Sequence, residues 1–398
     1  MTWRWFVSSA VRHAAELRKH VLKILNAQRD LLAPKDITAI EAAAGRLDAG
    51  IRAGADKPAL EAGVSQLEEV ANKWLKPYPN AAWRENVEVL LVAVSIAMAI
   101  RTFFLQPMKI PTGSMQPTLY GITSEDLRRK PDFKIPTGVA RWVDSWFRGI
   151  SYYHEVAKDD GQLRLLDPQP RTIVPFVTQQ RFLVGGDTYT VWFPGENFFY
   201  NPGGREPQSG VREGQTFRKG EDIFKCRITA GDHLFVNRLV YNFRQPTRGE
   251  IVIFETQGIE RLAQDTFYIK RLVALGGDRV RIGDDQHLVI NGQRLDAATR
   301  HFENVYTFDP QPKPYSYFGH VNGQTFRRFA GGSLGVLPEF ENAKGEYVVP
   351  PGHYMVMGDN TMNSSDSRCW GDFPREKVIG RASLVYWPIS SRFGWGQD

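Results

Sequence analysis

Three short segments of this 398-residue chain carry residue types that can do chemistry together. The first is Gln106-Pro-Met-Lys-Ile-Pro-Thr-Gly-Ser-Met-Gln-Pro-Thr-Leu119. Pro107, Pro111 and Pro117 exclude a regular helix and favour an extended chain. Gly113 permits a close backbone approach, or an unusual dihedral, just before Ser114. In an extended chain Met108, Ile110 and Thr112 share one face, an apolar wall for a peptide laid alongside. By itself, a Gly-Ser in a proline-rich stretch reads as an ordinary turn.

The second segment, Phe267-Tyr-Ile-Lys-Arg-Leu-Val-Ala-Leu275, reads as a strand ending at Gly276-Gly277. Period two places Lys270 with Tyr268, Leu272 and Ala274, and Arg271 with Ile269 on the other face. Burial among apolar groups disfavours an ammonium ion and lowers its pKa. A neutral amine can then act as a general base and activate a serine without histidine. The structural alternative is a lysine at a strand edge reaching out to water. The third segment, Gly358-Asp-Asn-Thr-Met-Asn-Ser-Ser-Asp-Ser-Arg-Cys-Trp-Gly371, is dense in turn formers and hydroxyls. Asp366 and Arg368 are spaced to brace it, and Ser364 or Ser365 to orient the lysine. Its acidic spacing does not fit a calcium loop, which needs regular ligands and a distal Glu.

Several elements must position these segments. Leu17, Val21, Ile24 and Leu31 form one helical stripe, interrupted by Gln28. Pro34 ends it, and Asp36 can cap the next. Ile37, Ile40, Ala44, Leu47 and Ile51 form a second stripe; Leu60, Val64, Leu67, Ala71 and Trp74 form a third. These predict two or three helices packed together, with no chemistry of their own. Pro77, Pro79 and Asn80 mark a break. The apolar run Val89–Ile100, extended by Val87 and by Phe103–Leu105, approaches a membrane-spanning length. Glu88 and Arg101 near its ends can snorkel, and Trp83 suits an interface. The run starts far from Met1, so it reads as an anchor and not as a cleaved leader. Lys73, Lys76 and Arg84 favour a cytoplasmic N-terminal side, although Lys109 and Arg128–Lys130 blur that rule. Beyond residue 106 the pattern turns to strands: 234–241, 251–254, 267–275, 280–282, 287–290, 354–357 and 378–387. Asn291-Gly292 signals a hairpin turn. Residues 120–229 and about 296–345 look irregular and read as insertions.

A net charge of +6 suits either nucleic acid or anionic lipid. No zinc-finger spacing, basic zipper or RNP-like motif is present, so lipid is favoured and no nucleic-acid partner is expected. Two cysteines, Cys226 and Cys369, are too few for a disulfide framework. The eight histidines show no metal-like spacing, and neither a metal nor an organic cofactor is expected.

Together the three segments resemble the type I signal peptidases, the leader peptidase family. The matching blocks are Ile110-Pro-Thr-Gly-Ser-Met115 with Pro117-Thr-Leu119, Ala230-Gly-Asp232, Arg248-Gly-Glu-Ile-Val-Ile-Phe254, Tyr268-Ile-Lys-Arg271 with Gly276-Gly-Asp278, and Met357-Gly-Asp-Asn360 through Arg368. They stand in the family's order, just after an anchor. The resemblance implies a mainly β fold, a coiled antiparallel barrel-like sheet, preceded by an α-helical region and one transmembrane helix. The helical region at 1–80, read from its stripes and without a counterpart in the family, is expected on the cytoplasmic side; the resemblance implies a spanning helix at 85–105 and an extracytoplasmic catalytic domain at 106–398 of a bacterial inner-membrane protein. Ser114 would be the nucleophile and Lys270 the general base. The Ser114 N–H and the Thr112 hydroxyl would form the oxyanion hole, where one donor contributes about 3–4 kcal/mol. Ser364 would hold Lys270, with Asp366 and Arg368 supporting the loop. Met108, Ile110, Met115, Tyr268 and Ile269 would shape pockets for small residues of an Ala-X-Ala site. Substrates would be secretory preproteins, bound as an added strand.

The chain departs from the pattern in three places besides its N-terminal helical region. Thr112 stands where the family often has Ser, which keeps a hydroxyl. Thr361 and Met362 replace charged residues after Gly-Asp-Asn. The stretch between Leu119 and Ala230 is far longer than usual. Two other readings fit parts of the chain. A self-cleaving repressor would share the Ser–Lys logic but needs a DNA-binding module and no anchor. A non-catalytic binding relative would be expected to lack the nucleophile or the base.

Overall fold

A computed structural model describes residues 8–76, 81–195, 197–200, 206–307, 319–330 and 332–395. The break expected at Pro77, Pro79 and Asn80 lies outside them, as does part of the stretch expected as a second insertion. The chain divides into two units, Met1–Val94 and Ser95–Asp398.

In the first unit, helices α1 (Ser9–Gln28), α2 (Pro34–Ala53) and α3 (Lys57–Trp74) pack on one another. The stripes supply their core, including Leu25, Ile40, Leu47 and Leu67. Each such burial stabilises by roughly 2 kcal/mol. Two details correct the sequence reading. Pro34 opens α2 as its first residue, a site where the missing N–H is harmless, and Asp36 lies inside the first turn without capping it. Leu31 is 57% exposed because α1 has already ended. Gln28 interrupts its stripe for a reason: its buried amide donates to Lys76 O at 2.8 Å and accepts from Lys76 N at 3.0 Å. Helix α4 (Ala81–Phe103) follows. Its Trp83–Phe103 stretch has a mean hydropathy of 1.7 and none of the apolar window is buried. At 1.5 Å per residue α4 is about 34 Å long, enough to cross a bilayer core of about 30 Å.

The second unit is mainly β. Strand β1 (Leu105–Lys109) leaves α4 directly. Then come β2 (Thr123–Asp126), helix α5 (Gly138–Trp146), β3 (Ile150–Val156), β4 (Gly161–Leu165) and β5 (Arg171–Val174). They are followed by β6 (Val177–Val184), β7 (Asp187–Trp192), β8 (Thr216–Phe217) and β9 (Asp222–Thr229). The next elements are β10 (His233–Asn237), α6 (Val240–Phe243), β11 (Ile251–Glu255) and β12 (Phe267–Leu275). Strands β13 (Arg279–Ile282), β14 (Leu288–Ile290) and β15 (Gln293–Arg294) lead to α7 (Glu303–Thr307) and α8 (Gly323–Ala330). Strands β16 (Tyr347–Val348) and β17 (His353–Met357), helix α9 (Ser367–Trp370), and strands β18 (Phe373–Pro374), β19 (Val378–Trp387) and β20 (Gly394–Trp395) complete the unit.

The main sheet has eight antiparallel strands in the order β1-β10-β19-β11-β12-β17-β18, with β20 on β19. β1 and β12 are separated by three strands in this order, yet Met108 of β1 and Tyr268 of β12 line one cleft. The sheet must curl to bring them together, and the packing of Ile110, Leu234, Val236, Ile251 and Ile253 in one cluster fills the inside of the curl. A smaller sheet, β15-β14-β13-β16, flanks it, with the Asn291-Gly292 turn between β14 and β15.

Three sequence expectations change. The strand expected over 234–241 stops at Asn237, whose side-chain oxygen accepts from Leu239 N and Val240 N and starts α6. Residues 120–229 are not irregular. They form a three-stranded sheet, β2-β9-β3, and a five-stranded one, β5-β6-β4-β8 with β7 on β6. Phe182, Phe198, Phe199 and Phe224 fill their own core. Buried Gln180 and outward Lys225 and Arg227 disguise the period-two alternation. Residues 296–345 are not an appendage either, since Phe302, Val305, Tyr306 and Phe340 share a core with Val273 and Met355 of the main sheet.

The Ala230-Gly-Asp232 block now has a structural reason. Ile110 N donates to Asp232 O at 2.9 Å. An added Cβ on Gly231 would stand 1.8 Å from Ile110 O, which is main chain and cannot swing aside. Gly231→Ala is therefore expected to destabilise the second unit by about 2–3 kcal/mol. Denaturant titration checks this, and a loss within 0.5 kcal/mol, the ordinary surface value, would sink it.

Candidate active site

Beyond β1, Thr112 is extended and the chain then closes a single 3-10 turn over Gly113–Met115. The extended reading therefore holds through Thr112 and fails at Gly113. Gly113 does not use the left-handed dihedral open to glycine, since it is not among the residues with positive φ. The turn aims Ser114 at β12. Lys270 Nζ lies 2.8 Å from Ser114 Oγ. Its other hydrogen-bond partner is Ile269 O at 3.1 Å. Both side chains are about 5% exposed, and the Tyr268 ring covers the amine at 5.5 Å. Burial pulls the Lys270 ammonium from 10.5 down to about 8. Asp366 and Asp359 act against that fall, and Arg368 adds to it.

The face reading of β12 needs one correction. Leu272 packs with Tyr268, but Ala274 lies with Val273 on a different cluster. A register shift between Leu272 and Ala274 against β17 breaks the period there. Arg271 is as buried as Lys270. Its guanidinium grips Asp359 through two bonds, of 2.8 and 2.7 Å, and donates to Gly249 O at 2.7 Å. Thr118 donates to the same carboxylate at 2.6 Å. This pair ties the lysine strand to both the Gly358 loop and the nucleophile segment. A second buried pair, Asp366 with Arg368, holds the loop itself. Arg368 also donates to Thr361 Oγ1 at 2.7 Å and to Val321 O at 3.0 Å. Burial alone raises the Asp366 carboxyl, but the Arg368 charge and hydrogen bonds hold it below its ordinary value.

Thr112 Oγ1 stands 3.5 Å from Ser114 Oγ. Ser364 is buried nearby, but its hydroxyl makes no hydrogen bond to Lys270 among the described residues. It lies across Gly358 from Ser114: a Cβ on Gly358 would meet Ser364 Oγ at 2.3 Å and Ser114 O at 2.5 Å. Met108, Ile110, Tyr268 and Ile269 line a cleft of about 410 Å³, together with Leu234, Ile253 and Phe267. Met115 does not line it, being fully buried beneath in the core.

Sequence reading missed Asn360, Arg271, Asp359 and Thr118. Asn360 N donates to Ser114 O at 3.0 Å, and its side chain donates to Gly113 O at 3.0 Å. The signal for the ion pair was available: two adjacent cations in an apolar strand cannot both point to water, so one needs a buried carboxylate. Nothing in the sequence pointed to Asn360 as a backbone clamp.

The chain matches the model of the signal peptidase family, peptidase S26, over residues 83–125 and 225–387. Those stretches are more than half of its length, and the chain belongs to that family. Within the family it is similar to type I enzymes. It is 33% identical to a probable signal peptidase I-2 of Synechocystis sp. PCC 6803, over 41% of this chain and 58% of the relative. It is 33% identical to the signal peptidase I of Aquifex aeolicus, over 40% of this chain and 70% of that one. A crystal structure of a signal peptidase I from Enterococcus faecalis V583 covers 35% of this chain and 98% of its own, at 27% identity and a TM-score of 0.23. The family match leaves out residues 126–224, where most of the extra sheets lie.

The depressed pKa carries a stability consequence. Between about 8 and 10.5 the unfolded chain holds the Lys270 proton and the folded one has released it, so stability rises with pH across that window. Below about 8 both states are protonated and the full penalty of burying the charge applies. Lys270→Met is thus expected to be more stable than the parent near neutral pH by about 3 kcal/mol, with the gap closing in alkali. Denaturant titrations at several pH values measure this. A variant that is less stable at neutral pH, or a gap independent of pH, would overturn the assignment of a buried, charge-averse lysine.

Proposed function

We propose that this chain is a membrane-anchored signal peptidase I that cuts preproteins with Ser114 as nucleophile and Lys270 as general base. The observation that carries the reading is the 2.8 Å contact between the Lys270 amine and the Ser114 hydroxyl, both of them buried. The neutral amine takes the hydroxyl proton as Ser114 Oγ attacks the scissile carbonyl carbon. The Ser114 N–H and the Thr112 hydroxyl donate to the oxyanion that forms. Lys270 then protonates the leaving amine, and water activated by the same lysine releases the acyl group. Asp366 and Arg368 support the loop behind the pair, and Ser364 limits the space in which it moves.

Geometry also supports binding of an extended peptide. Among the described residues β1 pairs only with β10, and Phe267–Lys270 pair with β11 but have no partner on the β17 side. Two open edges thus border the cleft, and a strand added there meets main-chain donors and acceptors. The narrow apolar wall formed by Met108, Ile110, Tyr268 and Ile269 suits small side chains, as in an Ala-X-Ala site. With α4 as a single span, the helical unit lies on the cytoplasmic side of a bacterial inner membrane and the β unit outside.

The test is cleavage of a secretory preprotein by the protein in detergent or lipid. Ser114→Ala and Lys270→Ala, each checked for folding, are expected to lower kcat by about 10³-fold or more. Cleavage by Ser114→Ala at the parent's rate removes the assignment. The parent's rate is expected to fall below a limb at about pH 8, where Lys270 becomes protonated. A profile flat well into acid would exclude Lys270 as the base.

A further inference from the structure

The stretch absent from the family match builds a groove of about 740 Å³ beside the cleft. Thr172 and Thr178 of the β5–β6 hairpin line it, with Asn197 and Gln208 opposite. The remaining wall includes Lys109 and Pro111, from the segment that carries Ser114. The same two residues line the cleft, so the two depressions share a rim. A chain leaving the cleft over that rim enters the groove directly.

The lining chemistry fits a polypeptide main chain. Among the described residues Lys109 is the only charged one in the lining, and half of the rest carry an amide or a hydroxyl. Such groups can donate and accept, and they meet backbone N–H and C=O whatever the side chains are. Two features point to an occupant. Gln208 Oε1 is buried without a hydrogen-bond partner among the described residues. And among the described residues β5 is the end strand of its sheet, pairing only with β6, so Thr172 sits on an open edge there.

We propose that this groove is a second polypeptide-binding site, holding the part of a preprotein that adjoins the segment seated in the cleft. The proposal rests on the peptidase reading above and deepens it. Recognition there follows the main chain and a lack of charge, so the groove acts on reach and affinity more than on residue choice.

The experiment compares two substrates with one cleavage site, a short peptide confined to the cleft and the whole preprotein. The full chain, Thr172→Trp and Gln208→Leu are assayed on both. The first variant fills the groove from an exposed edge, and the second removes the unpaired acceptor at similar size. In each, the ratio of kcat/KM for the preprotein to that for the short peptide is expected to fall about tenfold, the loss of one or two net hydrogen bonds. General damage lowers both rates and leaves the ratio alone. An unchanged ratio in both variants overturns the proposal. A binding arm uses Ser114→Ala and a preprotein carrying photoreactive groups on either side of the cut. Crosslinks to the 171–178 hairpin or to Asn197 are expected, and their side reports which flank is held. Crosslinks confined to the cleft overturn the groove. If the parent cuts neither substrate, the peptidase reading fails, while the crosslinks still decide the groove.

Discussion

A lysine can serve a serine only if its amine is dry, fixed in place and left without a carboxylate of its own. Water or a paired anion would keep it charged. Lys270 meets these conditions through its surroundings. The two nearest influential carboxylates, Asp359 and Asp366, are each gripped by an arginine. Their pull on the lysine is thereby blunted, and Arg368 adds a repulsion. Buried ion pairs of this kind are poor contributors to net stability. Here they act as fixed points, since each arginine holds several backbone or hydroxyl oxygens besides its carboxylate.

Ser114 is held differently. Its segment is pinned mostly by main-chain contacts: Asp232 O on Ile110 N, and Asn360 on the carbonyls of Gly113 and Ser114. Gly231 and Gly358 let the neighbouring chains come that close. The Ser114 hydroxyl therefore meets the Lys270 amine while its backbone stays fixed. The curled sheet sets the third relation, by bringing the edge strand β1 to the face of β12.

Much of this was legible because the chemistry is local. The Phe267–Leu275 and Val378–Trp387 strands match the sequence expectation residue for residue, since apolar runs bounded by glycine, proline or charge have few other solutions. The three helical stripes were readable for the same reason. What escaped depends on distant partners. Met115 looks like a pocket residue beside Ser114, but a 3-10 turn sends it into the core. Arg271 looks like an outward charge until Asp359 arrives from 88 residues away. Ala274 changes face through a register shift that no alternation rule foresees. The extra sheets hid because their strands mix buried Gln180 with exposed charges, a pattern easily mistaken for loop.

The direct joining of α4 to β1 sets a leash. From Phe103 to Ser114 the chain has eleven residue steps, so Ser114 can lie no more than about 35–40 Å from the helix end. With α4 in the bilayer, that length is a ruler. On the peptidase reading proposed above, a polypeptide must bring its bond within the same thin layer above the lipid. A bond of suitable sequence carried deep in a folded, released protein then stays beyond reach, so location would screen substrates before any pocket does.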